Sequence, residues 1–249
     1  MRRRALIAVA LIFLCTCRRP HSPTAGAPPE DLALTSADGV QLAATLYRAK
    51  ETNPPGLVLV HMLGADRRVW NSFAESAQRA GFMCIAFDLR GHGESIFKND
   101  ARISYRSFTP HDWQDVSHDI DAAKRALTVQ GADPNNLALV GASIGANLSL
   151  DYAASHKDVQ ALVLVSPGLD YKGIKAQPAL KTYGKRPLLL IFSEGDAYAA
   201  SSGWALKGAA VGLCELREYA GTAHGTDLFD VSRNAAEEVC LWLNQCLGQ

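Results

Sequence analysis

The sequence carries no excess charge of either sign: 25 Lys and Arg stand against 25 Asp and Glu in 249 residues. Without a cationic surplus there is no global attraction to nucleic acid or to an anionic membrane surface, so no nucleic-acid partner is expected. Long apolar runs are scarce too. The one that stands out, residues 5–15, is eleven residues long against the roughly 20 of a spanning helix, which excludes a polytopic membrane protein. The six cysteines include no C-x-x-C pair and no Cys/His cluster at ligand spacing, so no zinc signature is present and no metal is expected. No repeat, low-complexity tract or second linker follows residue 30. With 48% hydrophobic and 20% charged residues, the composition is that of an ordinary globule, not of a disordered, collagenous or coiled-coil chain.

What is present begins with the short apolar run itself. It follows Arg2, Arg3 and Arg4 and leads into small and polar residues, the layout of a secretory signal. Leu14-Cys15-Thr16-Cys17 resembles a bacterial lipoprotein signal, in which the Cys after the apolar stretch is acylated and becomes the new N-terminus. Thr16 departs from the Gly, Ala or Ser usual before that Cys. The resemblance implies lipidation at Cys17 and an exported protein held on the cell envelope by a lipid anchor. Cleavage after Ala27 is the alternative. Residues 18–30, RRPHSPTAGAPPE, read as a flexible tether. The organisation expected is therefore a signal over 1–17, a tether over 18–30 and a single domain over 31–249. Loss of Arg2 to Arg4 leaves the remainder three charges on the acidic side. Cys84, Cys214, Cys240 and Cys246 remain, either as buried thiols or with Cys214 oxidised to one of the two C-terminal cysteines.

From residue 31, apolar runs of strand length alternate with amphipathic stretches of helix length, which predicts an α/β fold with a mostly parallel sheet. Residues 32–35 and 41–48 flank an Asp38-Gly39 turn and predict an opening antiparallel pair. Residues 56–61, 82–87, 136–140, 161–165 and 187–192 are near-continuously apolar, as strands covered on both faces must be. Residues 67–80, 118–130, 145–155 and 231–247 carry apolar residues at helical spacing.

Gly141-Ala142-Ser143-Ile144-Gly145 lies between the strand ending at Val140 and the helix beginning near Gly145, the context of a nucleophile elbow. A strand-to-helix turn this sharp strains the nucleophile's backbone and crowds its neighbours, so small residues are needed two positions either side; Gly141 and Gly145 supply them. Here the chain resembles the α/β-hydrolase family over about residues 32–247. His61-Met62-Leu63-Gly64-Ala65 stands where that family has its oxyanion loop, with Met62 and Ala65 where Gly is usual. Asp88-Leu89-Arg90-Gly91-His92-Gly93-Glu94-Ser95 matches the family's D-x-R-G-x-G-x-S turn.

The resemblance orders the remaining groups as Ser, acid, His along the chain. It implies Asp196 as the acid, ahead of Asp170 and Glu194, and His224 as the base. His61 and His92 belong to backbone-shaping turns, His111, His118 and His156 to surface helices or loops, and His21 to the tether. The implied chemistry is acyl transfer to water: Ser143 attacks a carbonyl while His224 takes its proton, and the backbone N–H groups of Leu63 and Ile144 receive the oxyanion. No cofactor is called for. The interval 168–186, where relatives insert a cap, has room for one helix and two turns, which implies an open site with Met62, Leu63, Leu169, Tyr171, Tyr198 and Phe229 near its mouth. Residues 96–113 form a second insertion able to fold over it. The expected partner is a small-molecule or surface-presented carboxylic ester or thioester, and the protein an esterase. Peptidase, acyltransferase and a non-catalytic binding protein on the same scaffold are the other readings.

Overall fold

The computed structural model describes residues 26–232 and 234–248. The signal over 1–17, with Cys17, and the tether as far as residue 25 lie outside the described residues. The remaining tether residues rest on the domain: the Ala27 carbonyl accepts from Gln78 Nε2 at 2.9 Å, and Glu30 pairs with Arg48 at 2.7 Å and already belongs to the first strand.

The described residues form twelve strands and eight α-helices. They are β1 Glu30–Thr35, β2 Val40–Tyr47, β3 Gly56–Val60, α1 Asn71–Arg79, β4 Met83–Phe87, β5 Phe97–Lys98, β6 Ala101–Arg102, α2 Pro110–Gln114, α3 Ser117–Val129 and β7 Leu137–Ala142. Then come α4 Ile144–Ser155, β8 Val159–Val165, β9 Asp170–Tyr171, β10 Ile174–Lys175, α5 Ala176–Tyr183, β11 Leu188–Ser193, α6 Ala197–Ala209, β12 Cys214–Tyr219, α7 Asp227–Val231 and α8 Ala235–Leu247. The main sheet runs β12-β11-β8-β7-β3-β4-β2-β5-β6, with β1 beside β2. The six strands from β12 to β4 are parallel; β1 and β2 are the antiparallel pair around Gly39.

Alternation explains why the central strands are apolar throughout. Val58, Val60, Leu139, Leu162, Leu164 and Leu190 pack on one face with α3, α4 and α5, while Leu57, Leu59, Val140, Val163 and Ile191 pack on the other with α1 and α8. The helix expected over 67–80 opens as a 3₁₀ turn, Arg67–Trp70, and that over 231–247 is split into α7 and α8. The stretch from 197 to 209, which shows no clear apolar period, is the helix α6. Among the described residues no helix is long and apolar enough to cross a membrane, and Cys84, Cys214, Cys240 and Cys246 are all free thiols.

After β3 the chain adds β4 on one side of it, and β7 on the other. That reversal opens a crevice at the carboxyl ends of β3 and β7, so the loop after β3 and the turn after β7 emerge side by side.

Candidate active site

Ser143 occupies the turn between β7 and α4 with φ 54° and ψ −122°, a conformation that residues with a side chain seldom adopt. The turn is held by Ser143 N–H donating to Val165 O at 2.8 Å and by Ser143 O accepting from Ala146 N at 2.9 Å. Its tightness dictates the two glycines. A Cβ at Gly145 would stand 2.6 Å from the His61 carbonyl oxygen and closer still to that of Val60; one at Gly141 would stand 2.6 Å from the Gly145 carbonyl carbon. Those obstacles are backbone, which no rotamer change can clear.

Two loops from distant parts of the chain meet the serine hydroxyl. His224, in the loop between β12 and α7, places Nε2 at 2.8 Å from Ser143 Oγ. Its Nδ1 lies 2.6 Å from Oδ2 of Asp196, the residue that opens α6 just after β11. With Asp196 accepting from Nδ1–H, Nε2 is left free to accept the serine proton. The imidazole is 41% exposed and the Asp196 side chain 13%, so the base meets solvent while its carboxylate partner is sheltered.

Asp170 and Glu194 are not part of this arrangement. Asp170 Oδ1 accepts from Gly173 N–H within the β9–β10 hairpin, and the exposed Glu194 engages Tyr219 only through its backbone N–H.

Residues 55–192 match the family described as alpha/beta hydrolase fold. The chain belongs to the alpha/beta hydrolase family. It is 31% identical over 144 residues to the quorum-quenching protein AidA of Acinetobacter baumannii, a match covering 57% of this chain and 45% of that protein. It is 27% identical over 156 residues to the polyketide transferase grgF of a Penicillium species, covering 62% of this chain and 51% of that one. Each of these sequence matches thus spans about half the length of the curated relative. The GrgF crystal structure superposes with TM-score 0.74 and 15% identity, over 89% of this chain and 100% of that one. An esterase of Pyrococcus furiosus superposes with TM-score 0.71 and 17% identity, over 89% and 92%. Both are likenesses of fold. The span matched to the family includes Ser143 but ends before Asp196 and His224, which the tertiary structure alone joins to it.

The two backbone donors expected for an oxyanion flank this serine's crevice. Ile144 is the first residue of α4, and Leu63 stands in the loop after β3; among the described residues, neither N–H donates to another protein group. Where this family usually has glycine in that loop, Met62 stands here, and its side chain occupies the space left by the missing Cβ of Gly225, whose φ is 61°. His61 braces the loop from below: Nδ1–H donates to Met62 O at 2.8 Å and Nε2 accepts from Leu89 N–H at 2.9 Å. Complete burial lowers its pKa to about 4, so the ring is neutral.

Around the rim, Phe229 departs from its expected place. It is buried against Trp70 and Phe73, with ring centroids 6.1 and 4.8 Å away, because α7 folds inward onto α1. Met62 and Leu169 are half-buried, Leu63 and Tyr198 exposed. Tyr171 does more than line the mouth: its hydroxyl donates to Ser166 O at 3.4 Å, and burial raises its pKa to about 12. Ser166 and Asn147 were not legible as site residues. Buried Ser166 Oγ accepts from Gly225 N–H at 3.0 Å and so fastens the His224 loop. Asn147 on α4 donates to Gly168 O and Ile174 O and accepts from Gly168 N–H, pinning the short cap to the helix behind the serine. No local pattern marks a serine at a strand end or an asparagine in a helix for such a role; both act across more than 20 residues.

Proposed function

We propose that the protein is a serine hydrolase that cleaves a carboxylic ester or thioester through an acyl-enzyme. The observation that carries this reading is the unbroken hydrogen-bonded relay Ser143–His224–Asp196 on a strained strand-to-helix turn. Ser143 Oγ attacks the carbonyl carbon as His224 Nε2 takes its proton. The tetrahedral oxyanion accepts from Leu63 and Ile144 N–H. His224 then returns the proton to the leaving oxygen or sulfur, the acyl-enzyme forms, and the same base activates water to release the acid. Asp196 holds the tautomer and stabilises the imidazolium. The oxyanion donors lie in the backbone, and loss of one such donor costs on the order of 10²- to 10³-fold in rate.

Labelling by a fluorophosphonate probe, lost in Ser143→Ala and in His224→Gln, tests the relay; a parent protein that does not label is a binding protein on a hydrolase scaffold. Rates on p-nitrophenyl esters of graded length against aminoacyl anilides then separate esterase from peptidase. The likeness to the polyketide transferase favours one other reading, transfer of the acyl group to an alcohol or thiol in place of water. An acyl acceptor that raises p-nitrophenol release and captures the acyl group would establish it. For the N-terminal segment we propose export and acylation at Cys17, which predicts incorporation of labelled palmitate that Cys17→Ala abolishes.

A further inference from the structure

Beside the oxyanion loop opens a cavity of about 280 Å³ lined by Leu63, Tyr105, Arg106, Phe108, Trp113 and Lys172. Its walls come from three separate loops, and each is fixed. Tyr105 stacks on the buried His92 ring at 3.9 Å, donates its N–H to Gly91 O at 3.3 Å and sets its hydroxyl against Gly64 of the oxyanion loop. Phe108 and Trp113 meet edge to face at 5.3 Å. Lys172 is presented by the two-residue turn of the β9–β10 hairpin at φ 56°, in the left-handed region, with Asp170 Oδ1 tying the turn through Gly173 N–H. Pro110, at the start of α2, packs against that turn at Gly173, closing the ring between the insertion and the short cap.

The charge of this lining is one-sided. Arg106 lies over the Tyr105 ring at 5.7 Å, and neither Arg106 nor Lys172 has an ion-pair partner among the described residues. No carboxylate lines the cavity. Two unpaired cations lining an aromatic-walled hollow that shares Leu63 with the oxyanion loop suit a ligand that is apolar in the middle and anionic at its end.

Stereochemistry assigns the end. In the hydrolysis proposed above, on which this inference rests, the leaving group must face His224 Nε2 to collect its proton, and the oxyanion must face Leu63 and Ile144 N–H. The acyl chain therefore departs on the side away from the 221–225 loop, and no residue of that loop lines the cavity. We infer that the cavity is an acyl subsite selecting esters whose acyl chain ends in a carboxylate, held by Arg106 and Lys172.

The test uses p-nitrophenyl half-esters of adipic and suberic acid, each paired with the same ester capped as a methyl ester at its far end. At low salt the half-esters are expected to show about ten-fold or higher kcat/KM over their capped partners, with the gap narrowing as sodium chloride is raised to 0.5 M. The double variant Arg106→Gln with Lys172→Asn, in which Asn suits the left-handed position, should bring the ratio close to one. Arg106→Glu should drive it below one and favour an acyl chain ending in a trimethylammonium group, an inversion that damage to the fold would not produce. Equal kcat/KM for half-ester and capped ester in the parent, or a ratio the double variant leaves unchanged, overturns the subsite. Fluorophosphonate labelling of Ser143 without turnover of either half-ester overturns it as well. Absence of both labelling and turnover strikes instead at the hydrolase reading.

Discussion

Replacing Gly145 by Ala adds one methyl group, and the geometry of the turn says where it goes. The new Cβ would sit 2.6 Å from the His61 carbonyl oxygen and nearer to that of Val60, against an ordinary contact of about 3.5 Å. Both atoms belong to β3 and its exit, in the middle of a parallel sheet, so it is α4 that must retreat, by close to 1 Å. Ser143 rides on the first turn of α4. Its hydroxyl, now 2.8 Å from His224 Nε2, would move to the edge of hydrogen-bonding range. A displacement of about 1 Å in a reacting group can cost on the order of 10²-fold in rate. Overpacking of this kind costs roughly 1–3 kcal/mol of stability, or about 2–4 °C in Tm per kcal/mol for a domain of this size. The assay is the rate of fluorophosphonate labelling together with a thermal melt. Gly208→Ala serves as the comparison: a Cβ there meets nothing within 4 Å and lies in α6, so it should raise Tm slightly, by about 0.5–1 kcal/mol of helix propensity, and leave labelling untouched. A Gly145→Ala protein that labels at the parental rate with an unchanged melt would refute the claim that the second glycine of the elbow is set by backbone crowding.

Three further outcomes follow from the same structure. Tyr171→Phe removes the hydroxyl that donates to the carbonyl of Ser166, the residue whose Oγ holds the His224 loop, and kcat/KM on a short p-nitrophenyl ester should fall by about three- to ten-fold at unchanged Tm; an unaltered rate would assign that hydroxyl to packing alone. Acid should destabilise the fold through His61 and His92, both held neutral by burial, which lowers each pKa to about 4 from the ordinary 6.5. Between those values the unfolded chain binds the protons that the native state refuses, so stability is level above about pH 6.5 and declines toward pH 4, by about 1.4 kcal/mol per pH unit for each ring. A urea midpoint at pH 5 equal to that at pH 7 would contradict this. Arg186 donates to the carbonyls of Ala153, His156, Val159 and Tyr183, gathering the C-terminal end of α4. Arg186→Met should lower stability by about 1–3 kcal/mol in a denaturant titration while the labelling rate per folded molecule holds.

Local pattern reveals one kind of information in this chain. The five apolar runs had to be buried strands because each is apolar on both alternating faces, and the Asp38-Gly39 turn had to close a hairpin. The elbow could be recognised because its constraint is local: residues 141 to 145 must fit within one strand-to-helix turn. The order of Ser143, Asp196 and His224, by contrast, is what the resemblance to the α/β-hydrolase family implies, each residue standing in the turn or loop after a strand. Periodicity failed at α6, whose Ala, Ser and Gly residues form no apolar stripe, and it ran the helix expected over 231–247 across the break between α7 and α8.

What the tertiary structure decided is everything that depends on distance across the sheet. Asp196 rather than Asp170 meets His224 because β11 and β12 are neighbours, whereas Asp170 is consumed in holding a hairpin turn. Phe229, legible as a rim residue, is core because α7 folds against α1. Ser166, Asn147 and the cavity between Leu63, Arg106 and Lys172 join residues from loops that share no local signal. A side chain's role there comes from the neighbours that the closed sheet brings to it, and composition and spacing carry no record of them.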